Sequence, residues 1–105
     1  MSKVNEKREH KEVNAVIVEL KDIKAFGIEN MDSDDLEYLN TINNDLITYN
    51  NFVKTVVNGL EVRLEEKPNE SDKEELKYYS EKTILLDKYL PKLDEYTKDL
   101  EALLA

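Results

Sequence analysis

Two apolar seams, each running for four heptads, constrain this chain more than any other feature. Positions 36, 39, 43, 46, 50, 53, 57, 60 and 64 read Leu, Leu, Asn, Leu, Asn, Val, Val, Leu and Leu. Positions 76, 79, 83, 86, 90, 93, 97, 100 and 104 read Leu, Tyr, Thr, Leu, Leu, Leu, Thr, Leu and Leu. In both, the spacing alternates three and four without a slip. That is the signature of a helix laying one stripe against a neighbour.

One stretch competes with this pattern. Asn58-Gly59 stands between alternating apolar residues, the strongest short-range β-hairpin signal, and would make strands of 53–57 and 60–64. The first seam runs straight through the pair to Leu60 and Leu64. A Gly inside a helix costs about 1 kcal/mol relative to Ala. A lone two-stranded hairpin is itself marginal and would abandon the seam. The helix is therefore the expectation, and an α+β fold the alternative.

The residues at the seam ends agree. Asp32 is placed to cap the second helix, with Met31 and Leu36 as a hydrophobic staple. Asp34, Asp35 and Glu37 fall in its first turn, where the helix dipole favours negative charge. An EF-hand reading of this acidic run lacks the required Gly and Glu. Lys67-Pro68-Asn69-Glu70 reads as a loop, and Ser71 with Glu74 as a capping box opening the third helix. Asn69-Glu70-Ser71 also spells a glycosylation sequon, but its reading here is this capping loop. Upstream, Val13, Val16, Leu20 and Ile23 continue the three-four spacing, with Ile17 and Phe26 beside them, and Gly27 ends the run as a C′ residue. Val16-Ile17-Val18 could also be a strand, but no partner strand is evident.

Together these features predict an all-α chain, a three-helix bundle in one domain spanning 1–105. A short N-terminal helix, 12–26, packs on a long antiparallel coiled-coil-like helical hairpin of helices 33–66 and 72–104, the latter kinked at Pro91. Residues 1–11 are expected to fray. With two Gly and two Pro among 105 residues, the composition suits helices. Folding the hairpin on paper sets Leu64 against Leu76 and Val57 against Thr83. Asn43 then faces Thr97 as a polar layer, and Asn50 faces Leu90 with no partner, the weak point of the arrangement.

The flanks of the seams point to a surface. Ile42, Tyr49, Phe52 and Val56 on helix two share a side with Tyr78, Leu85, Tyr89, Tyr96 and Leu103 on helix three. The opposite side is mostly charged, apart from Ile47 and Ile84. Helix one should cover the apolar side, but Val13 to Phe26 spans only about 20 Å. It reaches the level of Tyr49. Phe52, Val56, Tyr78 and Leu85 lie beyond it and form the candidate partner-binding surface. Tyr89 and Tyr96 read as core residues with their hydroxyls at the rim.

Charge narrows the partners. The net charge is −9; residues 1–12 carry four basic and three acidic residues, a net +1, which leaves −10 on the rest. Such a surface repels phosphate backbones and anionic lipid, so no direct nucleic-acid or membrane partner is expected, whereas a basic protein is attracted. No apolar run approaches a membrane span. The opening MSKVNEKREHKEV has no signal-peptide core, so cytoplasmic residence is the expectation.

The residues suggest no chemistry. There is no Cys, hence no thiolate and no sulfur metal site. His10 is the only histidine, expected to be solvent-exposed, with Glu6 one helical turn away and no further ligands. The pairs Glu65/Glu66 and Glu74/Glu75 flank a loop tip with no cleft to perturb them. No phosphate-binding loop or nucleophile–base set can be assembled. No enzyme activity, cofactor or metal is expected.

The reading that follows is a non-enzymatic protein-interaction module. It would act by helix–helix docking or self-association, with a homodimer first, through Phe52, Val56, Tyr78 and Leu85. Its acidic surface would suit an inhibitor of a basic protein. The Asn-, Lys- and Ile-rich usage suggests an AT-rich genome, and small acidic helical proteins are common among phage accessory genes, so a phage or mobile-element accessory protein is the expectation. A helical hairpin of about this length also resembles the small substrates of type VII secretion in architecture; their Trp-x-Gly turn is absent, as there is no Trp, and so is their tyrosine-based tail motif. A third alternative is an oligomeric sponge for a small nucleotide ligand, with Lys82, Lys88 and Lys92 as its candidate cations.

Overall fold

The computed structural model describes residues 8–105. Three α-helices follow one another: α1, Lys11–Phe26; α2, Ser33–Glu66; and α3, Glu70–Leu104, with a single 3-10 turn, Ile28–Asn30, between the first two. No strand occurs among the described residues. The fold is the expected all-α three-helix bundle, with α2 and α3 packed along their length and α1 laid mainly on α3.

Each helix end has a local cause. Gly27 takes φ +89°, a region costly for side chains with a Cβ, and its N–H closes α1 on the Ile23 carbonyl at 2.8 Å. Asn30 Nδ2 donates to the Phe26 carbonyl at 2.7 Å, satisfying another free acceptor. At the start of α2, Asp32 Oδ1 accepts from Asp35 N and Asp35 Oδ2 accepts from Asp32 N, both at 3.0 Å. This is a reciprocal capping box with aspartate as its second acid. Met31 and Leu36 lie half-buried against the core.

The loop between α2 and α3 is tighter than expected. Pro68 biases Lys67 to extended backbone, which ends α2. Asn69, not Ser71, caps α3: its Oδ1 accepts from Asp72 N at 2.8 Å, while Ser71 is exposed inside the first turn. Asn is at least as good an N-cap as Ser. Here it also gains a second bond, Nδ2 to Asp72 Oδ2 at 2.9 Å. The helix therefore begins at Glu70 rather than 72.

Gly59 lies inside α2, so the helical reading of Asn58-Gly59 holds and the hairpin alternative falls. Helix α3 continues through Pro91, which is exposed along the groove that α3 forms with Asn51 and Lys54 of α2. There its missing N–H deprives only the Asp87 carbonyl of a helical partner.

The core is concentrated where three helices meet. Val13, Val16 and Ile23 of α1, Leu39 of α2, and Leu86, Leu90, Leu93 and Leu100 of α3 form one buried cluster. Toward the α2–α3 loop, α1 has run out. There only Val53 and Leu60 are buried apolar residues, while Val56, Val57, Leu64 and Leu76 are half-buried.

Two polar rungs lock α2 to α3. Asn50 Nδ2 donates to Asp87 Oδ1 at 2.8 Å, and Thr83 Oγ1 donates to Asn50 Oδ1 at 2.7 Å. Both ends of this buried amide are thus satisfied, which removes the expected weak point. One heptad earlier in α2, Asn43 Nδ2 donates to Asp94 Oδ1 at 3.0 Å. The expected Asn43–Thr97 pair does not form; Thr97 Oγ1 donates back to the Leu93 carbonyl at 2.8 Å. A carboxylate is the stronger acceptor, and both Asp side chains sit three residues nearer the loop than the seam residues that paper alignment paired with the asparagines.

Candidate functional site

The four residues expected to form an open strip are treated differently by the fold. Phe52 is 61% exposed. Val56 is half-buried, and Leu85 is half-buried against the main core. Tyr78 is covered from above by the segment that precedes α1. Arg8 places its guanidinium 3.7 Å from the Tyr78 ring centroid, His10 stacks on the same ring at 4.7 Å and 19°, and the phenol donates to the Glu9 carbonyl at 3.0 Å. The strip is thus not one continuous open face: its Tyr78 end is roofed, and Phe52 with Val56 is what stays open.

His10 departs from expectation. Its side chain is only 14% exposed, because stacking on Tyr78 offsets the loss of water. Nε2 lies 3.7 Å from Glu81 Oε1, and Nδ1 is buried without a partner. Residues 8–10 are packed and Lys11 is already helical, so this part of the 1–11 segment does not fray; residues 1–7 lie outside the described residues.

Beneath this roof is a buried lysine that the flank pattern did not reveal. Lys82 is 4% exposed. Its Nζ donates to Glu12 Oε1 and to Tyr49 Oη, both at 2.8 Å, and lies 4.8 Å from the Tyr78 ring centroid. Burial pulls the ammonium pKa down, but the hydrogen bonds to Glu12 and Tyr49, the nearby Tyr78 and the Glu12 charge outweigh it and hold the group above the ordinary lysine value. Glu12 answers in kind: burial pushes it up, but the bond to Lys82, its backbone hydrogen bond and the lysine charge bring it below the usual carboxylate range. One charge from each of α1 and α3 and a phenol from α2 therefore close the top of the three-helix region. With Lys82 turned inward while Lys88 and Lys92 are exposed, these three cations do not converge on a ligand.

A partly apolar concavity lies at the other end of α1. Because α1 leans on α3, it leaves a gap against the start of α2. The resulting groove holds about 560 Å³ and is lined by Glu19, Asp22, Ile23, Ala25 and Phe26 of α1, Met31 of the connector, and Asp35, Tyr38 and Leu39 of α2. Ile23 and Leu39 are fully buried at its floor. Phe26 and Tyr38 stand along it at 55% and 53% exposure, so Phe26, read as lying beside the α1 stripe, is not buried with it. Tyr38 Oη donates to Glu19 Oε2 at 2.7 Å, bridging the gap. That bond, then burial and the charges of Glu19 and Asp22, pushes the phenol pKa up. The sequence did carry a signal: Glu19, Asp22 and Phe26 recur at helical spacing on one face of α1.

Among the described residues, no three His, Asp or Glu side chains gather as metal ligands would, and no helix is long and apolar enough to cross a membrane. No family model, curated protein or solved structure matches this chain.

Proposed function

We propose that this chain is a non-enzymatic protein-interaction module of the cytoplasm that docks through helix–helix contacts, pairing first with a second copy of itself. The observation that carries this reading is Phe52, 61% exposed beside half-buried Val56 on the part of α2 that α1 does not reach. The 16 residues of α1 span about 24 Å and the 34 residues of α2 about 51 Å. Two helices alone cannot bury both sides of their seams. A second hairpin laid across the tip would complete a four-helix arrangement. Its acidic surface, at −9 overall, favours the role of an accessory or inhibitory protein aimed at a basic target, as phage and mobile elements encode.

Sedimentation equilibrium over a hundredfold range of concentration tests the reading. The native chain should show a concentration-dependent dimer, and Phe52→Ser should shift it to monomer with an unchanged helical spectrum. A native chain that stays monomeric throughout sinks the self-association reading.

A further inference from the structure

We infer that the groove between α1 and α2 is a docking site for a short cationic amphipathic helix of a protein partner. This surface is separate from Phe52, which lies about 20 Å further along α2 from Leu39. It deepens the interaction reading above by naming the chemistry of a partner.

The groove has the composition such a ligand needs. Its floor is apolar, made by Ile23, Met31 and Leu39, and Phe26 and Tyr38 offer exposed aromatic walls. Its rim is acidic, with Glu19 and Asp22 on one side and Asp35 on the other. None of these three carboxylates is ion-paired with a described Lys, Arg or His; Glu19 accepts only from the Tyr38 phenol, and Asp35 caps α2. Elsewhere the bundle's partly buried carboxylates Glu12 and Asp72 have their cations, Lys82 and Arg63. Negative charge around an apolar trough, with no internal counter-charge, selects a positive, greasy occupant over a neutral or anionic one.

The shape selects a helix. The trough lies between two antiparallel helices, the position a fourth helix takes in a bundle. Glu19 to Phe26 covers about two turns, or 11 Å. This length seats apolar anchors at i, i+3 and i+4 of a docked helix, leaving its flanking Lys or Arg side chains to reach the two acidic rims.

The test uses the full chain, methyl-labelled, and a synthetic amphipathic peptide with Leu at i, i+3, i+4 and i+7 and Lys elsewhere. A second peptide carries Glu in place of each Lys. With the Lys peptide, the methyl signals of Ile23, Met31 and Leu39 should shift together and saturate. The double variant Glu19→Gln, Asp22→Asn should weaken binding by about tenfold, while its melting temperature stays that of the native chain. Asp35 is left alone because it caps α2. Phe52→Ser should leave peptide binding unchanged, so the groove and the self-association surface succeed or fail separately. Equal binding of the Glu peptide, or shifts spread over the acidic surface and indifferent to the double variant, would overturn the proposal. Shifts of the same methyls on concentrating the chain without peptide would give the groove to a second copy, and overturn it as well.

Discussion

The two ends of this molecule are written in the same heptad language but are built to different standards. Next to the α1–α2 connector, α3 buries Leu86, Leu90, Leu93 and Leu100 against Val13, Val16 and Ile23 of α1 and Leu39 of α2. At the α2–α3 tip the seam continues without a slip, yet Val53 and Leu60 are the only apolar residues buried there, outside that cluster. The tip compensates with polar fastenings: Arg63 to Asp72 at 3.0 Å, and the Asn69 cap. A stripe of apolar residues becomes a core only when a third element closes it. The difference between the halves is therefore set by the length of α1, not by the stripe.

The largest test of this contrast is a pair of truncations. Leu93→Ala, at a fully buried site where three helices meet, should cost about 2–5 kcal/mol. Leu60→Ala in the tip should fall at the bottom of that range, about 2 kcal/mol, because two helices relax around a cavity more readily than three. Urea unfolding measures both. Equal losses would erase the distinction, and amide exchange that is no faster in the tip than around Leu93 would do the same.

A smaller effect probes the seam between the halves. Lys82→Met removes the ammonium that joins Glu12 to Tyr49, and should cost about 1–3 kcal/mol, since Glu12 is partly exposed and keeps some water. The pH profile carries the sign. Glu12 is held below its ordinary value of 4.5, so its share is present above that pH and is lost as pH falls through the folded value. Lys82 is held above its ordinary 10.5, so its share is complete below that pH and fades as pH rises through the folded value. Melting temperatures of native and Lys82→Met chains should therefore differ most between pH 4.5 and 10.5 and converge on either side. A gap that ignores pH would mean Lys82 acts only by filling space.

The smallest effect sharpens the contrast from the tip side. A Cβ on Gly59 would meet nothing within 4 Å, and the residue lies exposed in mid-helix. Gly59→Ala should stabilise the chain by about 0.5–1 kcal/mol, read as a higher midpoint in thermal unfolding. A loss would show that the tip needs the flexibility this glycine gives.

Helix number, order and faces were legible in the sequence because seam spacing and caps are local. The Asp32 cap and the Gly27 stop needed only neighbours in the chain. Axial offset was not legible. Heptads fix which face is buried but leave the sliding position open, and the residues that set it, Asp87 and Asp94, read as solvated acids. The roof over Tyr78 was missed for a similar reason: Arg8 and His10 look like a charged lead-in until a ring beneath them gives their flat groups a surface. The groove was hidden because nothing in the spacing of α1 told whether it would sit between α2 and α3 or lean to one of them.

The Asn43–Asp94 and Asn50–Asp87 bonds repeat at the same interval on both rods, like graduations on two rulers. Misalignment by a single graduation would still offer each asparagine a carboxylate, Asn50 now against Asp94 and Asn43 against Glu101. Such a shifted zipper is the cheapest wrong alignment open to these helices, and the Thr83 hydroxyl, which has only Leu90 as its counterpart seven residues on, is the tooth that tells the right setting from the neighbouring one.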